Sequence, residues 1–238
     1  MVMFQSHKRF SFFYFGVMLV YMLSIVLGNQ VLHNITKPIF MVLLVIYYRT
    51  QLVGALDKFS KLILLGLFFS WLGDIFLMIE KTGLFFILGL GSFLIAHLGY
   101  LGGFYQNLRS SKEPFNYGKS VLYSIPFLLI TVPFFLYIKS GVPSELFMPV
   151  FAYTAVITAM GIFSALRFGH VNQKTFNWVL IGAILFIFSD CVLAINLFSI
   201  RPETGSHLAK GLATCNMFLY LTGQYYITRG AVDNRPLL

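Results

Sequence analysis

The chain has 238 residues, of which 58% are hydrophobic and 11% charged, with a mean hydropathy of +0.81. A soluble domain carries about 25% charged residues, so this composition excludes an ordinary water-soluble fold. The net charge of +9 does not point to nucleic acid either. Lys and Arg stand singly or in pairs between apolar runs, where they act as topology signals and headgroup contacts.

The expected fold class is an all-α membrane protein, one integral membrane domain built as a bundle of about eight transmembrane helices. The spans are read at about 10–28, 37–48, 59–79, 83–105, 119–138, 146–166, 175–198 and 209–228. Lys8-Arg9 before the first apolar run resembles a signal peptide, but no small-x-small cleavage site follows, which favours an uncleaved first helix. Span two is short for a crossing, and it begins either with Pro38 in its first turn, where a missing N–H costs nothing, or further into Gln30–Thr36.

Span three contains a single carboxylate, Asp74, inside the apolar stretch 66–80, GLFFSWLGDIFLMIE. Span seven repeats the arrangement with Asp190 in 182–196, GAILFIFSDCVLAIN. Aligning Gly66 with Gly182 superimposes Asp74 on Asp190, Leu77 on Leu193 and Ile79 on Ile195, which suggests two parallel four-helix repeats. An ionised Asp near the centre of a membrane helix costs roughly 2.5–3.5 kcal/mol on insertion scales. A cost of that size calls for a compensating role.

Other polar residues follow the same logic, since lipid-facing positions have no use for them. Ser70 shares a face with Asp74, and His97 shares one with Tyr100 in span four. Gly89, Ser92, Ala96, Gly99 and Gly103 form a small-residue stripe there, read as helix packing. Span six adds Tyr153, Thr154 and Thr158, and span seven adds Ser189 and Asn196. Span eight carries Asn216, Tyr220 and Gln224 in one line at i, i+4, i+8, a line that must face protein or water. With a rise of about 1.5 Å per residue, the two acids and Tyr153 fall at similar depth in the outer half, with Tyr220 near the middle and His97 deeper. One polar cavity is expected to collect them. Each feature also has a structural reading: His97 as a hydrogen-bonding core residue, the span-eight line as interhelical glue.

Orientation follows from basic residues. The N-terminus, the loops after spans two, four and six, and the C-terminus hold twelve, namely Lys8, Arg9, Arg49, Lys58, Lys61, Arg109, Lys112, Lys119, Arg167, Lys174, Arg229 and Arg235. The other side holds five, Lys37, Lys81, Lys139, Arg201 and Lys210. Both termini are therefore expected in the cytoplasm.

Two carboxyls in one low-dielectric cavity share a proton, giving a general acid beside a general base. Such a pair suits acid-catalysed hydrolysis, and equally a proton-coupled small-solute transporter, for which Pro126 and Pro133 in span five leave room. No G-x-S-x-G elbow is present. His97 is the one histidine inside a span, too few for a zinc site, and no cofactor or metal is expected. Cys191 and Cys215 lie within spans and are read as buried free thiols.

Several pieces, in this order and spacing, resemble the YhhN-like lysoplasmalogenase family of multi-span membrane proteins. They are Lys37-Pro38, Leu72-Gly73-Asp74, Gly89-Leu90 to Phe93, Ala96-His97 and Tyr100, Tyr153 and Met160, Ser189-Asp190 to Leu193-Ala194 and Asn196, and Tyr220 with Gln224. One departure is Leu197, where a basic residue often follows the Asn. The resemblance implies cleavage of the vinyl ether of a lysophospholipid to a fatty aldehyde and a glycerophospho-base, in a bacterial cell membrane and with membrane lipids as surroundings. It implies Asp74 and Asp190 as catalytic residues, supported by His97, Tyr153 and Tyr220. Lys37, Ser70, Tyr100, Ser189, Asn196 and Gln224 stand as substrate contacts, Lys37 toward the phosphate.

Overall fold

The computed structural model describes residues 7–79, 83–114, 116–203 and 205–234, so Glu80, Lys81 and Arg235 lie outside the described residues. The described residues are predominantly helical, without a strand. In chain order the helices are α1 (His7–Leu27), α2 (Gln30–Thr36), α3 (Ile39–Gln51), α4 (Lys58–Ile79), α5 (Gly83–Ser110) and α6 (Tyr117–Ile138). Two short 3₁₀ turns, Lys139–Gly141 and Ser144–Leu146, lead to α7 (Phe147–Leu166). Then come α8 (Gln173–Ala194), which continues as a π-helical segment Ile195–Ile200, and α9 (His207–Val232).

Side-chain caps set several of the starts. Asn29, Asn116, Asn172 and Ser206 accept hydrogen bonds from the amides of Leu32, Lys119, Thr175 and Ala209, satisfying donors that have no partner within the helix. The second crossing starts earlier than its apolar run suggests. Together α2 and α3 cover Gln30–Gln51, long and apolar enough to span a membrane. They are separated at Lys37-Pro38, because Pro38 has no N–H for the ladder. Polar Gln30, His33 and Asn34 hide that first turn from a hydropathy reading.

Two hairpins dominate the packing, α4 on α5 and α8 on α9. Both close through glycine. A Cβ on Gly99 would lie 3.0 Å from the Gly66 amide nitrogen and the Leu62 carbonyl oxygen. A Cβ on Gly182 would lie 2.7 Å from the amide nitrogen of Ile227. The aligned residues Gly66 and Gly182 thus occupy the close-packed seam of their respective hairpins. The small-residue stripe of α5 faces α4, with Gly89 against Leu77 and Gly103 against Ile63.

Helix α9 is the least apolar of the long helices and packs on α8, α1, α3 and α4, its second half from Tyr220 on being largely buried. Ser11 of α1 is hydrogen-bonded to Tyr225 of α9, and His7 to Tyr47 of α3, so both ends of the described chain lie at the same face of the bundle. That face carries the described basic residues from Lys8 to Arg229 assigned above to the cytoplasm, while Lys37, Lys139, Arg201 and Lys210 lie toward the other. Cys191 is half-buried, and Cys215 is exposed on the outer surface of α9. The expectation of two buried thiols is therefore corrected, since the face of α9 carrying Cys215 has no helix over it.

Candidate active site

Three sets of polar side chains occupy the bundle where the sequence reading expects one. The first surrounds Asp190 on α8. Its Oδ2 accepts a hydrogen bond of 2.6 Å from the Tyr153 hydroxyl of α7. His97 of α5 lies behind both, with Nε2 2.9 Å from the Tyr153 oxygen and 3.4 Å from Asp190 Oδ2. The single Tyr153 proton is directed at the carboxylate, so His97 donates from Nε2 to the Tyr153 oxygen. Its Nδ1 is buried with no partner among the described residues, which suits an unprotonated nitrogen better than an N–H. Ser189 Oγ, 3.3 Å from Asp190 Oδ1, also bonds the Phe186 carbonyl at 2.8 Å. Asn216 of α9 donates to the Ser189 carbonyl at 2.7 Å.

The second set surrounds Asp74 on α4, which is almost fully buried. The Tyr220 hydroxyl of α9 donates to its Oδ2 at 2.8 Å, and Lys37 Nζ lies 3.6 Å from its Oδ1. Lys37, read from the sequence as a phosphate contact at the outer surface, instead turns inward. The break at Lys37-Pro38 aims its side chain at the acid. The third set is Tyr100, Gln224 and Ser70. Tyr100 donates to Gln224 Oε1 at 2.6 Å, and Gln224 Nε2 donates to Ser70 Oγ at 2.8 Å. All three are buried, so these expected substrate contacts act between helices.

The Asp190 set borders a cleft that the other two sets do not line. The cleft lies between α5, α6, α7 and α8 and is partly open, and Asp190, Tyr153, Thr154 and Thr131 are its polar lining. Its remaining wall is apolar, including Leu77, Phe86, Phe93, Ile138, Val150 and Phe198. Asn196 lies half-buried in the π-helical segment, next to the lining residues Leu197 and Phe198. The Arg201 guanidinium bonds the Gly141 carbonyl and so ties the end of that segment to the 3₁₀ turn after α6.

The two carboxyls do not share this space. Asp74 is not among the lining residues, and the described residues show no hydrogen bond between the acids. Aromatic rings stand between them. His97 packs on Phe186 at 4.7 Å between centroids, Phe186 on Tyr220 at 5.2 Å, and Phe93 on Tyr220 at 5.8 Å. The reading of one cavity for every polar residue is corrected on this point: equal depth did not bring equal azimuth. The wall from α6 had no signal in the sequence beyond Pro126, Pro133 and Thr131, since that span has no Asp, Glu or His.

An apolar cleft with one carboxyl and one phenol at its wall, and an imidazole behind them, can hold an apolar chain and present a carboxyl to it. Comparison with curated proteins and with solved structures gives no match. A family model does match, over residues 32–231, a range that takes in all three polar sets and every helix except α1. By that match, the chain belongs to the YhhN family.

Proposed function

We propose that the protein is a membrane-embedded hydrolase that cleaves the vinyl ether bond of a lysoplasmalogen-type lysophospholipid, releasing a fatty aldehyde and a glycerophospho-base. The observation that carries this reading is Asp190 on the wall of an apolar cleft, backed by Tyr153 and His97. Family membership supports a lipid-directed hydrolase of this kind.

The chemistry is acid-catalysed. Asp190 gives its proton to the vinyl carbon distant from the ether oxygen, and an oxocarbenium ion forms at the adjacent carbon. The Asp190 carboxylate then faces that cation, stabilises it and accepts a proton from the attacking water. The resulting hemiacetal breaks its bond to the glycerol oxygen as Asp190 passes the proton taken from water to that oxygen, and the carboxylate takes up the hemiacetal hydroxyl proton as the carbonyl forms, which leaves aldehyde, alcohol and a protonated Asp190. Tyr153 and His97 hold the carboxyl in one orientation and offer a route for the exchanged proton. Excess basic charge at the terminal face supports an orientation with both termini in the cytoplasm and, with it, the cleft in the outer half of the membrane.

The test is aldehyde release from a lysoplasmalogen by the purified full-length protein in detergent. Wild-type protein releases aldehyde, and Asp190→Asn lowers the rate about 100-fold or more, the range of a lost general acid, without lowering the melting temperature. Equal rates in the two proteins overturn the reading, and a transporter releases no aldehyde at all.

A further inference from the structure

We propose that the two intramembrane acids divide the work: Asp190 is the proton donor, whereas Asp74 is a positioning residue locked in a buried ion pair with Lys37, and carries no proton in the reaction. The inference rests on the hydrolase reading above and assigns roles within it.

Access separates the two acids first. Asp190 lines the cleft, with its side chain 17% exposed, and Asp74, with its side chain 4% exposed, does not. A group that protonates carbon must reach the substrate, and only Asp190 does so.

Charge separates them next. Asp74 faces the Lys37 ammonium at 3.6 Å and accepts the Tyr220 hydroxyl at 2.8 Å. A proton on Asp74 would break its buried ion pair with Lys37, a costly step. A group cycling its proton at each turnover would take that step each time. Asp190 has no Lys or Arg partner among the ion pairs of the described residues; its neighbours are a phenol, an imidazole and a serine hydroxyl. Those groups can exchange protons with it.

Connection separates them last. Between the Tyr220 hydroxyl and His97 stand the rings of Tyr220 and Phe186, with Phe93 alongside, and a phenyl ring conducts no proton. These rings do transmit position. The Lys37–Asp74–Tyr220 set joins the break between α2 and α3 to α4 and α9. Tyr220 then presses on Phe186, and Phe186 on His97, the residue that orients Tyr153 and Asp190. The ion pair thus sets the back wall of the catalytic trio.

The prediction compares four full-length proteins in detergent: wild type, Asp190→Asn, Asp74→Asn and Lys37→Met/Asp74→Asn. Asp74→Asn breaks the buried ion pair with Lys37 and loses both stability and rate. The double variant removes the pair as a unit and regains about ten-fold or more of the rate lost by Asp74→Asn. Its pH–rate profile keeps the wild-type shape, since no titrating group of the reaction is gone. A folded double variant as inactive as Asp190→Asn overturns the assignment.

A second measurement needs no Asp74 variant. An apolar carbodiimide modifies protonated carboxyls that it can reach within a membrane protein, and mass spectrometry of the wild-type protein locates the label. Label on Asp190 alone is expected. Label on Asp74, or none on Asp190, overturns the assignment even if the double variant fails to fold. Labelling requires no substrate, so a wild-type protein that releases no aldehyde sinks the hydrolase reading separately from this one.

Discussion

Gln224 shows how a single polar side chain holds this bundle together. Its amide accepts from Tyr100 at 2.6 Å and donates to Ser70 at 2.8 Å, so one residue of α9 satisfies hydroxyls on α5 and α4. All three are buried, where an unmade hydrogen bond costs about 1–3 kcal/mol. Gln224→Leu is therefore expected to destabilise the protein by that amount, whereas adding Tyr100→Phe to it costs less than the sum of the two single changes. Unfolding measured on the four members of this cycle checks the coupling; strict additivity would show that the pair does not interact. That Tyr220 and Gln224 face protein was legible in the sequence, because a polar line at i, i+4 has no place against lipid. The direction of Lys37 was not. A lysine near a helix end ordinarily extends toward the interface, and only the break before Pro38 together with a buried Asp74 turns it inward.

At the scale of helices, apolar runs of about 20 residues located every long element within a few residues. Two features escaped that signal. The first turn of the second crossing is polar in Gln30, His33 and Asn34, and its cap at Asn29 is a local event. The π-helical segment Ile195–Ile200 is as apolar as the helix it extends, so nothing in its composition marks the change of ladder. It ends at Arg201, whose φ of 45° is a conformation that non-glycine residues adopt rarely. The hairpins, by contrast, depend on residues that can be tested one at a time. A methyl group on Gly182 meets the Ile227 amide at 2.7 Å and the Gly223 carbonyl at 2.8 Å, both backbone atoms that cannot swing aside. Gly182→Ala should force α8 and α9 apart and cost about 1–3 kcal/mol. Gly91→Ala on α5, where nothing lies within 4 Å, serves as the control and leaves unfolding unchanged or slightly improved. Equal behaviour of the two variants would mean that the α8–α9 seam is not close-packed in the membrane.

Over the whole molecule the two hairpins exchange partners: Asp74 of the first is bound by Tyr220 of the second, and Asp190 of the second is backed by His97 of the first. Depth along each helix was readable from residue number alone, which is why the two acids were expected at one level. Rotation about each helix axis depends on the neighbours, and it puts aromatic rings between them. The terminal face is held by a different polar network. Arg167, fully buried, donates to Asn107 of α5 at 2.8 Å and to Asn234 after α9 at 3.2 Å, and Asn172 and Thr175 each donate to the Asp233 carbonyl at 3.0 Å. His170 belongs to the loop between α7 and α8 in this region, and its Nδ1 is buried with no partner among the described residues. Burial lowers its pKa from the ordinary 6.5, with Glu113 opposing the shift and Lys119 adding to it. The unfolded chain therefore binds the His170 proton at a higher pH than the folded protein does. The stability tied to His170 is complete above pH 6.5 and is lost as pH falls from there toward its folded-state value. The slope reaches at most about 1.4 kcal/mol per pH unit. Melting temperature followed downward from neutral pH should fall more steeply for the wild type than for His170→Gln, in which the titrating group is gone and the side chain remains polar. Parallel curves would show that this end of the bundle opens freely enough to hydrate a charged imidazole, and that the loop between α7 and α8 is not packed as the polar network requires.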